Sequence, residues 1–154
     1  MRSADLIHQQ CSVARPATLL GDPWTLVILR QAFSRVRRFD EFQRHLGISR
    51  SLLAERLNNL VEAGILRREP YKDEIRTRQE YRLTQKGLDL YPALMALREW
   101  GDKYMAEDGP PIELSHRGCG GEPSVHLTCD RCGEEVSARD AEVAPGPGLR
   151  AVAT

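Results

Sequence analysis

The chain has 154 residues, with 22 basic and 22 acidic side chains and a formal net charge of zero. That length supports one core of ordinary size and a small appendage. No apolar run is long enough to span a bilayer, and the opening MRSADLIHQQCSV lacks the apolar centre of a secretion signal, so a cytoplasmic protein with reduced cysteines is expected. The neutral total conceals an asymmetry. Residues 30–82 hold 13 of the basic and 8 of the acidic residues, a surplus of five that the rest of the chain cancels. A basic segment inside a neutral chain suits a nucleic-acid surface.

Residues 1–18 read as a polar lead with a short helix around 4–10. Asp22 and Pro23 then supply a cap and a first helical position, and the apolar stretch to Phe33 predicts a buried helix. After the basic link SRVRR, FDEFQRHL (39–46) predicts a short helix, and Gly47 a turn. Ser49 is an N-cap candidate for the next helix, in which Leu53, Leu57, Leu60 and Val61 recur at helical spacing before Gly64 ends it. The expected core is Trp24, Leu26, Ile28, Leu53, Leu57 and Leu60. Two strand-like runs, 65–71 and 78–83, flank the charged loop KDEIRT. Helix, turn, helix and basic hairpin together predict a winged helix-turn-helix, mainly α with a small β wing.

A long final helix is expected over 85–105, with Pro92 kinking or breaking it. Its stripe of Leu88, Leu90, Tyr91, Leu94, Met95, Leu97, Trp100 and Tyr104 is wider than one core contact needs, which points to a homodimer surface, with burial inside the monomer as the alternative. Gly109, Pro110 and Pro111 mark a boundary. The expected domains are residues 1–108 for DNA binding and dimerisation, 112–143 for a cysteine-bearing module, and 144–154 for a disordered Pro/Gly-rich tail.

With the leucines inward, Ser51, Glu55, Asn58 and Glu62 point outward, and Arg56 and Asn59 lie on the shoulders. Ser49, Arg50 and Ser51 occupy the first turn, which enters a major groove deepest. Arg forks onto guanine, Asn onto adenine, and Glu accepts from cytosine. The candidate DNA contacts on the helix and the link before it are therefore Arg37, Arg38, Ser49, Arg50, Ser51, Glu55, Arg56 and Asn59. For Arg50 and Arg56 the competing reading is a solvent-exposed side chain or one paired with Glu, and Arg56 could also pair beside Glu55 or with Asn59. In the wing, Lys72, Arg76 and Arg78 suit phosphates or the minor groove, while Asp73 and Glu74 oppose them.

The module HRGCGGEPSVHLTCDRCGEE carries His116-x-x-Cys119-Gly and Cys129-x-x-Cys132-Gly. Each two-residue spacer puts two ligands on one turn, and the glycine permits tight backbone. Three thiolates and one imidazole make a closed, structural zinc site, and the module reads as a small zinc-ribbon-like β unit. His126 is a rival fourth ligand. A metal-free ribbon or a Cys129–Cys132 redox pair are the alternatives. Cys11 stands alone, either as a small buried hydrophobe or as a thiol sensor activated by Arg15.

Taken together, CSVAR (11–15), LLGDPWTLVILR (19–30), RRFDEFQRHLGISRSLLAERLNNLVEAGILRREPY (37–71), EYRLTQKG (80–87) and LREWGDKYM (97–105) resemble the HxlR-type winged-helix regulators of bacteria. The resemblance implies a homodimer with helices from both ends at its interface, double-stranded DNA as partner, and a two-fold-related operator. It also implies, for some members, an oxidant response through a cysteine at the place of Cys11, and for others a small-molecule effector. It covers about residues 11–105, so the cysteine module lies beyond it. The expected function is a sequence-specific transcriptional regulator. A winged helix plus a zinc ribbon also suits a polymerase-docking adapter. No nucleophile–base pair or open metal site points to an enzyme.

Overall fold

The structure is a computed structural model that describes residues 3–72 and 76–149. It divides into two compact units, Met1–Tyr91 and Pro92–Thr154. The division falls at Pro92, ahead of the Gly–Pro–Pro segment.

In the first unit a 3₁₀ turn spans Ser3–His8. Helix α1 (Ala14–Leu20) follows, where the sequence reads as a polar lead. Helix α2 (Pro23–Phe33) starts as its residues dictate: the Asp22 carboxylate accepts from the Thr25 N–H at 3.0 Å, and Pro23 sits at the first helical position. It buries Thr25, Ile28 and Leu29. Trp24 and Leu26, expected in the core, are exposed and half-buried respectively, because they lie off the face that Ile28 and Leu29 define.

Helix α3 (Phe39–Leu46) begins where Glu41 reaches back to the Arg38 N–H at 3.2 Å. It ends at Gly47, whose φ of 62° is left-handed. Three residues later α4 (Arg50–Glu62) starts, with the Ser49 hydroxyl accepting from the Leu52 N–H. Leu53, Leu57 and Leu60 fall on one face and are fully buried against Ile28, Phe42 and Leu66. Each contributes about 1.5–3 kcal/mol of burial.

The wing is an antiparallel pair, β1 (Leu66–Lys72) and β2 (Thr77–Leu83), in the register Leu66↔Leu83 through Lys72↔Thr77. The Tyr81 N–H donates to the carbonyl of Arg37, which ties the basic link to β2. Asp73 and Glu74 at the wing tip lie outside the described residues. At the wing's foot, Thr84 caps the short helix α5 (Gln85–Leu88) and donates to the Gly64 carbonyl. Gly87 packs so closely that a Cβ there would meet the Ile65 carbonyl oxygen at 2.3 Å.

The final helix is broken rather than continuous. After α5 the chain turns at Asp89–Leu90, and α6 spans Tyr91–Met105 with Pro92 in its first turn. Proline lacks the donor an uninterrupted helix needs there and is tolerated at a helix start. The second unit carries most of α6 and the cysteine module. The module does not form a regular ribbon: among the described residues its pairing is one isolated bridge, Thr128↔Glu135. No described helix is long and apolar enough to cross a membrane.

Candidate nucleic-acid interface

The helix-turn-helix consists of α3, the turn 47–49 and α4, and the wing follows directly. The cap at Ser49 leaves Arg50 and Ser51 in the first turn of α4, both exposed. Arg50 is anchored without being buried. Its guanidinium lies over the Phe39 ring at 5.0 Å, donates to the Gln43 amide oxygen at 3.2 Å, and pairs with Asp40 at 3.6 Å. Arg78, on β2, reaches the other oxygen of the same carboxylate at 3.7 Å. The recognition helix and the wing therefore send one arginine each to a single exposed anion. The Asp40 side chain is 67% exposed, and ion pairs of this kind contribute little to stability, so they can be exchanged for another anion at small cost.

The other expected contacts divide. Ser49, Ser51, Glu55 and Asn59 are exposed on or beside the outer side of α4, and the Ser49 and Ser51 hydroxyls are 3.4 Å apart. Arg38 is exposed and stacks over the Tyr71 ring at 4.6 Å, whereas Arg37 is half-buried against the wing. Lys72 and Arg76 are exposed on either side of the wing tip.

Arg56 is paired within the fold. Its Nε and an Nη donate to the two oxygens of Asp22, at 3.0 and 3.3 Å, and the other Nη donates to Glu55 at 2.7 Å. The arginine therefore clamps α4 to the N-terminus of α2, and the fork that would read a guanine is occupied. Of the pairings weighed from sequence, only the one at Glu55 is found; the main partner, Asp22, lies 34 residues away, and helical spacing could not disclose it. Burial alone would push the Asp22 carboxyl up. The Thr25 N–H and the Arg56 guanidinium outweigh it and hold that carboxyl below the usual carboxylate range.

Sequence reasoning passed over Arg68. Cross-strand to Tyr81, it lies 5.9 Å from that ring and donates to Asn58 on the outer side of α4. The alternation of β1 placed it on that face, but with no knowledge of which strand face meets α4 it read as one more solvated charge. On the opposite face, Arg67, Glu69, Glu80 and Arg82 neutralise one another, Arg82 reaching Glu69 at 2.8 Å and Glu80 at 2.6 Å. Arg78, across from Tyr71, lies on this second face as well, so each side of the wing carries a basic residue that can meet an anion.

Cys11 is exposed, not a buried hydrophobe. The Ala14 N–H donates to its sulfur at 3.4 Å. That bond, followed by the Val13 N–H, lowers the thiol's pKa, with Arg15 adding least. Arg15 donates instead to the Gln9 carbonyl.

In the second unit, His126 places one ring nitrogen 2.8 Å from Ser124 and the other 2.9 Å from Glu135, which occupies both positions a metal would use. The His116 ring lies 3.2 Å from the Cys119 sulfur. Among the described residues no three or more His, Cys, Asp or Glu side chains are gathered as a metal site, so the four expected ligands stand as two pairs.

A capped second helix, an exposed arginine in its first turn and a hairpin that carries Arg68 and Arg78 define a winged helix-turn-helix protein. The HxlR-like helix-turn-helix family matches residues 19–109, and the chain belongs to that family. It is 47% identical to Rv3095, an uncharacterized HTH-type transcriptional regulator of Mycobacterium tuberculosis, over 98% of this chain and 97% of the relative. The crystal structure of PA1607, a candidate transcription factor, superposes with a TM-score of 0.82 at 39% identity, covering 91% of this chain and 98% of that one. The redox regulator HypR in its reduced form matches at a TM-score of 0.55 and 27% identity, over 60% of this chain and 92% of its own.

Proposed function

We propose that this transcriptional regulator binds duplex DNA as a homodimer in the cytoplasm, with α4 in the major groove and the wing along the phosphate backbone. The observation that carries the reading is the convergence of Arg50 and Arg78 on Asp40. Two guanidinium groups from different elements, held on one exposed carboxylate, match the charge and spacing of a backbone phosphate. On DNA the phosphate takes the place of Asp40, or Arg50 turns from it onto a base edge while Arg78 keeps the backbone. Ser49, Ser51 and Asn59 supply polar contacts beside it, and Arg38, Lys72 and Arg76 extend the electrostatic footprint.

Homodimerisation is supported by the apolar side of α6, where Leu97, Trp100, Tyr104 and Met105 are all at least half exposed. Trp100 and Tyr104 stack at 5.4 Å, a preformed aromatic surface. An oxidant response is supported by the exposed, acidified thiol of Cys11 and by the likeness to HypR.

The test is equilibrium DNA binding over a range of salt. Arg50→Ala and Arg78→Ala should each weaken binding by about 1–3 kcal/mol if they meet a base, or lower the salt slope by about one if they meet a phosphate. Unchanged affinity and slope in both variants overturn the reading.

A further inference from the structure

The cysteine module contains two turns closed by the same pair of backbone hydrogen bonds. In the first, the His116 N–H donates to the Gly121 carbonyl at 2.7 Å and the Gly120 N–H to the His116 carbonyl at 2.9 Å. In the second, the Cys129 N–H donates to the Glu134 carbonyl at 2.9 Å and the Gly133 N–H to the Cys129 carbonyl at 2.9 Å. The offsets are identical, five and four residues, and both turns close on a left-handed glycine, Gly120 at φ 75° and Gly133 at φ 74°. In each turn the donors are the first and fourth residues, His116 with Cys119 and Cys129 with Cys132. A tight turn that aims two soft donors to one side is what half of a tetrahedral zinc site requires.

In the first turn the donor separation is near, though shorter than, what one zinc requires. With Zn–S near 2.3 Å, Zn–N near 2.05 Å and tetrahedral angles, a nitrogen and a sulfur on one zinc stand about 3.6 Å apart. The His116 Nδ1 and Cys119 Sγ are 3.2 Å apart without a metal. In the other turn the Cys132 thiol donates to the Glu134 carboxylate at 3.8 Å.

The module also lacks a buried core of its own among the described residues. Among the described residues after Met105, none is buried, and Leu114, Val125, Cys129 and Val136 are half-buried at most within the stretch that carries the turns. Ordered turns without a core are the condition in which a bound metal supplies the folding free energy.

We propose that His116, Cys119, Cys129 and Cys132 hold one structural zinc ion per chain, the metal drawing the two preformed turns onto a single centre. Three thiols release their protons to solvent, and the three sulfurs and one imidazole nitrogen fill the four positions. The closed set leaves no position for a reactive water, so the site is structural. His126 is excluded because Ser124 and Glu135 hold its ring.

The test is elemental analysis of the full chain, purified reduced and without chelator, followed by exchange with Co(II) as an optical probe. One zinc per chain is expected, with the intense thiolate-to-cobalt absorption of a tetrahedral sulfur-rich site. Cys129→Ser with Cys132→Ser should abolish stoichiometric zinc. Cys119→Ser and His116→Ala should each weaken retention against a competing chelator at least tenfold, and His126→Ala should retain the metal. Hydrogen exchange of α2–α4 in each variant checks that the first unit stays folded, so that loss of metal is not general unfolding. Absence of zinc from the wild-type chain, its full retention in the double variant, half an equivalent per chain, or a Cys129–Cys132 disulfide in place of metal would each overturn the proposal.

Discussion

Asp22→Ala isolates the clamp between α2 and α4. The substitution removes the acceptor of the Thr25 N–H and of two Arg56 nitrogens together. Loss of an N-cap costs about 1 kcal/mol. The Asp22–Arg56 pair, with side chains 33% and 21% exposed, belongs at the upper end of the range for accessible pairs, about 1 kcal/mol more. The sum, about 2 kcal/mol, lowers the melting temperature of a domain this size by about 8–16 °C. Arg56→Gln keeps the cap and loses the Asp22 pair, about 1 kcal/mol, together with the exposed Glu55 pair, which adds little, and leaves DNA affinity within about twofold, because the fork is already occupied. In the double variant the losses should fall short of additive. The pH dependence follows from the depressed Asp22 carboxyl. A group whose folded pKa is lowered stabilises the fold above its unfolded pKa, about 3.9, and the contribution disappears as pH falls through the folded value. The difference in melting temperature between wild type and Asp22→Ala should therefore be constant above about pH 5 and close only in strong acid. Thermal unfolding by circular dichroism, paired with DNA-binding titrations, measures all of this. An Arg56→Gln protein of unchanged stability that binds its operator tenfold more weakly would refute the reasoning and return Arg56 to the DNA.

Other consequences are open to direct measurement. Asp40→Asn removes the anion that occupies Arg50 and Arg78, so binding should tighten about fivefold on specific and unrelated DNA alike; unchanged affinity at low salt would show that Asp40 does not compete. Gly87→Ala should destabilise the first unit by about 1–3 kcal/mol, since its Cβ meets a carbonyl rather than a yielding side chain; chemical denaturation reads the loss. Cys11→Ser should bind DNA as the reduced wild type does and ignore diamide, whereas wild type and variant losing binding together would remove Cys11 as the sensor.

Much of the winged helix was legible because its signals are local. Asp22 with Pro23, Ser49 ahead of the leucine repeat, and Gly47 between the helices are capping and turn residues whose roles depend on near neighbours. The leucine face of α4 followed from spacing alone. What was not legible depends on residues far apart in the chain. Arg56 read as a DNA contact because Asp22 is distant in sequence, and Trp24 read as core because its helix is apolar on more than one side. Helix α1 was missed in a segment whose polar residues hide a short helical turn, and the break at Asp89–Leu90 left only Pro92 as its cue. Arg68 was hidden by having no sign of which face of β1 meets α4. In the module the ligand spacing was plain, and the equivalence of the two turns emerged only from their backbone hydrogen bonds.

As proposed, this regulator reads a two-fold-related operator through Arg50 and the wing. Unbiased selection of bound duplexes by the reduced, full-length protein, repeated with Arg50→Ala, tests it most directly. An inverted repeat is expected, with half-sites about 10 base pairs apart, centre to centre, or a multiple of that. If Arg50 reads a base, the variant should relax the choice at one position in each half-site. Enrichment of no motif, or of a single unrepeated site bound by one chain, would contradict it.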